Sequence, residues 1–261
     1  MVSWHLGTVG FSYKDWEDVF YPTNTPSRAY LSHYSQIFDA VEIDSTFYGN
    51  PPAGRVKHWA NTTPPGFKFC VKTPRQITHE MRLINASNAM STFLDRMQLL
   101  GDKLGAVLIQ LPPAFTAAEY DTVARFLEEL PIHFRYAIEF RHPSWFSRET
   151  VPLLDKFNVC WTSTDYLNLP KQVILTTSFF YIRWLGRHGQ FKHKDREQAD
   201  VTPQLEWWWA YIQPHLERIE AIYGFFNNDY AGHSPSTCNR FKAIVGLPIN
   251  RPQLPRQDKL F

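Results

Sequence analysis

A chain of 261 residues, 44% hydrophobic and 16% aromatic, carries enough apolar material for one large core or two small ones, which excludes general disorder. A net charge of +2 creates no long-range field that would make nucleic acid or an anionic membrane the main partner. No stretch approaches the roughly 18 apolar residues of a membrane span, and the opening MVSWHLGTVGFS has neither the basic start nor the apolar run of a signal peptide, so a cytoplasmic protein is expected.

Eight short apolar segments, each bounded by Pro, Gly, Asn or Asp, read as strands: 6–9, 40–48, 67–73, 106–111, 136–141, 159–165, 179–185 and 221–227. Helical patterns fill most of the gaps. Helices are expected over 28–38 and 53–61. A third follows a cap at Ser87, with Met90, Phe93, Leu94, Met97 and Leu100 on one face, and a fourth follows Thr116, with Tyr120, Val123, Ala124, Leu127 and Leu130. Further helices are expected over 148–157, 203–219 and 235–245, with Pro214 splitting the sixth and Ser234-Pro235 capping the last. The gap 166–178 holds Pro170 and a β-favouring run, so no proper helix is expected there, which makes the structure irregular between strands 6 and 7. Strands alternating with helices at this length point to the α/β class and a TIM-like (β/α)8 barrel, one domain spanning 1–261.

Alternation along the strands assigns their faces. Val41, Ile43 and Phe47 oppose Glu42, Asp44, Thr46 and Tyr48. Phe67, Phe69 and Val71 oppose Lys68, Cys70 and Lys72, while Val107, Ile109 and Leu111 oppose Ala106, Leu108 and Gln110. Tyr136, Ile138 and Phe140 oppose Ala137, Glu139 and Arg141, and Phe180, Ile182 and Trp184 oppose Tyr181 and Arg183. In a barrel the apolar parity faces the helices and the polar parity faces inward. The inward charges gather at the carboxyl ends of the strands, where barrel enzymes place their sites. Asp165, Asn227 and Asn228 stand at the matching ends of the sixth and eighth strands. Pooled, Lys72, Arg141 and Arg183 face Glu42, Asp44, Glu139 and Asp165, three positive charges to four negative.

Glu139 and Glu42 are the candidates for proton transfer, with Lys72 and Arg183 supporting negative charge and Tyr48, Gln110 and Asn227 orienting a substrate. The alternatives are a structural Glu139–Arg141 ion pair and a Glu42–Lys72 pair. His79, in the loop after the third strand, Arg141, Asp165 and Asn228 complete the substrate-binding set. Nothing in the sequence lowers the pKa of Lys72, so Schiff-base chemistry has no support at this level. The basic loop 184–196, with Arg187, His188, Lys192, His193 and Lys194, is either an anion clamp or a solvated segment. Trp145 reads as a lid over the barrel rim, with a stacking platform as the alternative, and Trp207–Trp209 as core and rim packing or an oligomer contact.

The three cysteines, Cys70, Cys160 and Cys238, form no C-x-x-C and imply neither disulfide nor zinc site. No H-x-H or H-E-x-x-H occurs, and three basic groups in one mouth repel a cation, so no metal is expected. A P-loop, G-x-G-x-x-G and G-x-S-x-G are absent and no cofactor is implied.

The motifs VEIDSTFYGNP (41–51), FKFCVKTPRQITH (67–79), GAVLIQLPPAF (105–115), AIEFRHPSW (137–145) and GFFNNDYAGHSP (224–235), with the opening GTVGFSYKDWEDVFYP (7–22), resemble the YecE-like family, domain of unknown function seventy-two. The resemblance covers nearly the whole chain. It implies a TIM-barrel-like fold and brings no activity with it, so function rests on the site. Many relatives carry Arg-x-His-Gly in the seventh strand, where this chain reads Arg183-Trp184-Leu185-Gly186.

The expected function is a metal-independent acid/base enzyme, a hydrolase, lyase or isomerase, acting on a small polar, anionic or sugar-like substrate at the carboxyl mouth of the barrel. Two alternatives stand beside it: a metal-dependent phosphodiester or sugar-processing barrel, and a non-catalytic module binding a ligand or, less favoured, nucleic acid. The oligomeric state is left open.

Overall fold

The computed structural model describes residues 2–250. Nine strands among them are all parallel: β1 (Ser3–Val9), β2 (Ala40–Ile43), β3 (Lys68–Lys72), β4 (Leu104–Gln110), β5 (Tyr136–Glu139), β6 (Cys160–Trp161), β7 (Ser163–Asp165), β8 (Phe179–Trp184) and β9 (Ala221–Phe226). Their order is β6-β5-β4-β3-β2-β1-β9-β8-β7. The two end strands are separated by Thr162 alone, so they are successive parts of one extended segment. β6 pairs with β5, the Thr162 amide donates to the Ile138 carbonyl at 2.9 Å, and β7 pairs with β8. The result is a nearly closed α/β barrel with one unsealed seam between β6 and β7. The single-domain expectation spanned 1–261; residue 1 and residues 251–261 lie outside the described residues. No helix among the described residues is long and apolar enough to cross a membrane.

Helices cover the outside: α1 (Tyr30–Ile37), α2 (Ala53–Thr62), α3 (Ser87–Met97), α4 (Tyr120–Glu128), α5 (Thr150–Phe157), α6 (Thr202–Ile212), α7 (Asn228–Ala231) and α8 (Ser234–Ile244). At Pro214 the expected 203–219 helix gives way to a 3-10 turn, Gln213–Arg218, because proline has no amide to continue the ladder. Residues 166–178 contain no helix. Two cap assignments shift. Ser87 and Ser234 are the first residues of their helices, and their hydroxyls donate instead to Glu129 and Asn228.

One expected strand is cut short. The 40–48 segment leaves the sheet after Ile43, where Asp44 takes helical angles (φ −81°, ψ −20°) and Ser45–Tyr48 forms a 3-10 turn. The Thr46 hydroxyl ties that turn down by bonding to the carbonyls of Ile43 (2.8 Å) and Lys72 (2.7 Å). Strand parity therefore does not extend to Thr46, Phe47 and Tyr48.

Up to that point the parity rule is obeyed. Val41, Ile43, Phe69, Val71, Val107, Ile109, Ile138, Phe180 and Ile182 pack in the outer apolar layer with the helices. A second cluster fills the barrel: Ala40, Cys70, Ala106, Ala137 and Cys160 from β2 to β6, against Phe179 and Tyr181 of β8 and Tyr223 and Phe225 of β9. Small side chains on one wall leave room for large rings from the other, which is how a parallel barrel reaches close packing. Gly105 takes part in this fit, since a Cβ there would lie 2.9 Å from the Tyr223 ring. All three cysteines are buried and free. Trp208 is buried, while Trp207 and Trp209 sit half-buried against Tyr211 and Trp4.

The β1–β2 ladder contains an inserted hydroxyl. Tyr34 of α1 accepts from the Thr8 amide (2.8 Å) and donates to the Ala40 carbonyl (2.9 Å), bridging two backbone groups of neighbouring strands. A side chain at Gly7 would meet that carbonyl at 1.9 Å and the Tyr34 hydroxyl at 2.6 Å, so only glycine fits beside the wedge. Tyr34→Phe leaves both buried groups unpaired, and denaturant titration is expected to register a loss of about 1–3 kcal/mol with an unchanged m-value.

Candidate functional site

Arg183, near the carboxyl end of β8, is buried at the centre of the mouth and held by two carboxylates from the opposite wall. Its Nε and Nη2 donate to Glu42 Oε2 (2.9 Å) and Oε1 (2.6 Å), a two-pronged pair. Its Nη1 donates to Glu139 Oε2 at 2.6 Å. The remaining Glu139 oxygen is taken by Arg141, whose guanidinium also lies 4.1 Å over the ring of Tyr166. Glu42 Oε2 receives a further bond from the Tyr181 hydroxyl at 2.8 Å. Both carboxylates are fully buried, and every one of their oxygens is engaged.

The electrostatics follow from these contacts. Burial would raise the Glu139 pKa, but Arg141 and Arg183 outweigh it and bring the group from 4.5 down to about 2. Burial also opposes the Arg183 charge, and Glu139 with Glu42 overcomes it and holds the guanidinium firmly protonated. Tyr181 is pushed well above its ordinary value, by burial and then by Glu42.

Lys72, at the end of β3, shares the mouth but not the pairing. Among the described residues its amine makes no hydrogen bond or ion pair, and it lies 4.0 Å from the centre of the Phe47 ring. Burial, then Arg183, lowers its pKa from 10.5 to about 8 against the pull of Glu139 and Glu42. His79 meets the same Phe47 ring edge-on at 5.0 Å and bonds through Nδ1 to the Thr78 hydroxyl at 2.8 Å. Burial, then Lys72, lowers His79 to about 4, so the imidazole is neutral at physiological pH. The Gln110 amide is turned to the Leu111 carbonyl at 2.7 Å.

Other candidates stand elsewhere. Tyr48 is 84% exposed and lines a cleft of about 650 Å³ beside the mouth with Phe47, Arg75 and Glu80. Asp44 lines a second cleft with Tyr13, Arg28 and Arg55. Asp165 Oδ2 accepts from Lys171 (2.9 Å), Trp208 (2.9 Å) and Tyr230 (2.8 Å), which joins β7 to α6 and α7 rather than to the charge cluster. The Asn227 side chain caps α7 by accepting from the Asp229 amide (2.8 Å). Asn228 accepts from Trp16 and from the amide and hydroxyl of Ser234. The basic loop is drawn down to Asp229: the Gly189 amide donates to it at 3.0 Å and the Lys194 amine lies 3.5 Å away. Trp145 is fully buried against Phe140 and donates to the Phe115 carbonyl, so it presents no stacking face.

Sequence reasoning missed Phe47, Tyr166 and Tyr181 as members of the mouth. Tyr181 shares the inward parity of Arg183, which was the available signal. Phe47 sits in a turn that read as strand, and Tyr166 lies past the end of β7. At the position where many relatives are expected to carry histidine, Leu185 adds an apolar side chain to the inner cluster. Among the described residues, no group of three or more His, Cys, Asp or Glu side chains is arranged to hold a metal ion.

Residues 5–259 match the family model described as "Protein of unknown function DUF72". The UPF0759 protein YunF of Bacillus subtilis is 32% identical over 94% of this chain and 96% of its own length. The UPF0759 protein YecE of Escherichia coli K12 is 35% identical over 118 residues, 45% of this chain and 43% of that protein, so less than half of YecE is matched. Among solved structures, a DUF72 family protein from Thermotoga maritima superposes with a TM-score of 0.81 at 27% identity, covering 94% of this chain and 99% of that one. Another from Enterococcus faecalis, at 20% identity, shares the fold with a TM-score of 0.77 over 95% of this chain and 99% of its own. Barrel, family model and full-length relative agree, and the chain belongs to the DUF72 family.

Proposed function

We propose that this protein is a metal-independent enzyme that takes a small anionic substrate into the carboxyl mouth of the barrel, where Lys72 is the group that meets it. The observation that carries this reading is the contrast between the carboxylates and the amine. Every oxygen of Glu42 and Glu139 is bonded to Arg183, Arg141 or Tyr181, whereas the Lys72 amine, among the described residues, bonds to neither carboxylate. With Asp165 bonded behind the barrel wall and Asp44 in the cleft beside Tyr13, the cluster around Lys72 holds three cations, Lys72, Arg141 and Arg183, to two anions. Lys72 is half-buried, and a charge without a protein partner in such a place suits a ligand that supplies the opposite sign.

This reading moves proton exchange away from the carboxylates, for which the strand-end pattern had suggested it. A carboxyl held near 2 between two guanidiniums is a weak base and is never protonated at neutral pH. Its task is to fix Arg183 and Arg141. An amine near 8 lies close to working pH and exchanges protons readily. The cation excess also speaks against a resident divalent metal.

Two measurements test the reading. Inorganic phosphate should raise the melting temperature of the protein. Lys72→Met should weaken phosphate binding roughly tenfold or more, the equivalent of about 1.4 kcal/mol, in calorimetric titration. The same substitution should raise the melting temperature of the free protein, because the cost of half-burying an unpaired ammonium beside two guanidiniums disappears. Phosphate without effect on wild-type protein would refute the anionic mouth.

The second measurement concerns Glu139. Its folded pKa lies below its unfolded value, so the stability it contributes is fully present above pH 4.5 and is lost as pH falls toward about 2. Glu139→Gln should cost about 3–5 kcal/mol at pH 7 by leaving buried guanidiniums uncompensated. That deficit should shrink across the 4.5-to-2 window as the wild-type carboxyl protonates. A deficit constant through that range would show that Glu139 is not held ionised.

A further inference from the structure

The Lys72 amine differs from most other partly buried amines of the barrel; Lys242 of α8 also lacks a bonded partner among the described residues, but it faces the Phe38 ring on the outside of the barrel, away from the charge cluster. Lys103 donates to the carbonyls of Ala60 and Thr63 (2.5 Å each), Lys68 to that of Asp102 (2.6 Å), and Lys171 to the Asp165 carboxylate (2.9 Å). Lys72 is bound by none of these means, although its backbone is fixed on both sides. Its strand register pairs it with Leu108, and its carbonyl accepts from the Thr46 hydroxyl. An amine on a rigid base, laid over an aromatic ring, beside carboxylates bonded to other groups and next to a neutral imidazole, has its lone pair free for bonding to carbon. A salt-bridged lysine does not.

We infer that Lys72 is a covalent nucleophile and that the substrate class is a small oxo acid or phosphorylated aldehyde or ketone. Its carbonyl carbon forms an imine with Lys72 Nζ, while its anionic group is held by the free edge of the cation cluster at Arg141. This rests on the anionic mouth proposed above and gives it a substrate class.

The chemistry balances with the groups named. Lys72 first releases one proton to solvent. The nitrogen lone pair then attacks the carbonyl carbon, the C=O π electrons move to oxygen, and oxygen takes a proton from nitrogen to give a carbinolamine. That hydroxyl leaves as water on receiving the solvent proton, and the nitrogen lone pair closes the C=N bond of an iminium carrying one N–H. From ammonium and carbonyl to iminium and water, no oxidant, reductant or further reactant is consumed. The positive charge that Lys72 already carries as ammonium is conserved in the iminium, so the cluster sees no change of field. A lowered amine pKa assists the first step: a shift from 10.5 to about 8 raises the neutral fraction at pH 7 roughly 300-fold.

The test is reductive trapping. The full-length protein is incubated at pH 7 with glyoxylate, pyruvate or glyceraldehyde 3-phosphate and sodium borohydride, whose hydride adds to the iminium carbon and fixes a secondary amine. Proteolytic peptides are then mapped by mass spectrometry. Lys72 should be modified about tenfold or more above surface lysines such as Lys14 and Lys57 with at least one probe, given its larger neutral fraction. Inorganic phosphate should suppress that adduct and leave the surface background unchanged. Lys72→Arg, which keeps the charge, should still bind phosphate and lose the adduct. Phosphate binding with Lys72 unmodified by all three probes overturns the imine and leaves the anionic mouth standing. Neither binding nor adduct overturns both. Uniform labelling of all lysines, unaffected by phosphate, also overturns the imine.

Discussion

The guanidinium of Arg183 sits where water does not reach, between Glu42 on one side of the barrel and Glu139 on the other. A lone buried ion of this kind would be expelled or neutralised, and arginine cannot give up its proton. The wall opposite β8 is arranged accordingly: β2 and β5 each bring a carboxylate to it, and Tyr181 and Arg141 complete the remaining valences. The pairing joins strands far apart in the ring, so the mouth of the barrel is cross-braced by charge while its body is braced by packing. Buried ion pairs of this quality roughly offset their own desolvation, and their contribution is to select one arrangement.

With that bracing complete, the lysine that remains is the informative group. Strand alternation and chain position place four acidic groups against three basic ones, a set in which every cation has a partner and one acid is left over. Geometry removes two of the acids. Asp165 faces outward because alternation runs unbroken from the inward Cys160 through Thr164, which sets Asp165 beside Trp184 on the outer side, and its carboxylate serves α6 and α7 instead. Asp44, just past the end of β2, lines the neighbouring cleft with Gly10 and Tyr13. Around Lys72 the charges are then Arg183 and Arg141 with Glu139 and Glu42, which together with Lys72 makes that cluster net positive.

The fold and the membership of the charge cluster were legible in the sequence for one reason: strands alternate with period two, and the outward apolar series in β2, β3, β4, β5 and β8 is unbroken. That alternation alone assigned Glu42, Lys72, Glu139, Arg141 and Arg183 to one side. It carried no distances, so which carboxylate binds which guanidinium was not readable, nor was the absence of a partner for Lys72. Tyr48 read as inward because a β-favouring run, STFY, continues the pattern after the strand has ended; local propensity there yields to the Thr46 hydroxyl bonding across to β3. Asn227 and Asn228 were placed correctly at a strand end, yet side chains of that type at a strand-to-helix junction cap backbone amides as readily as they meet a ligand. The Tyr34 wedge has no sequence signature, since a hydroxyl bridging a ladder depends on a helix crossing at one height.

Below the charges, the rings of Tyr181, Tyr223 and Phe225 close the axis of the barrel, with Phe179 and His5 packed beneath them. A molecule that reaches Lys72 has one way in and the same way out. The packed rings are a floor, so the charged groups face outward through the carboxyl end of the barrel alone.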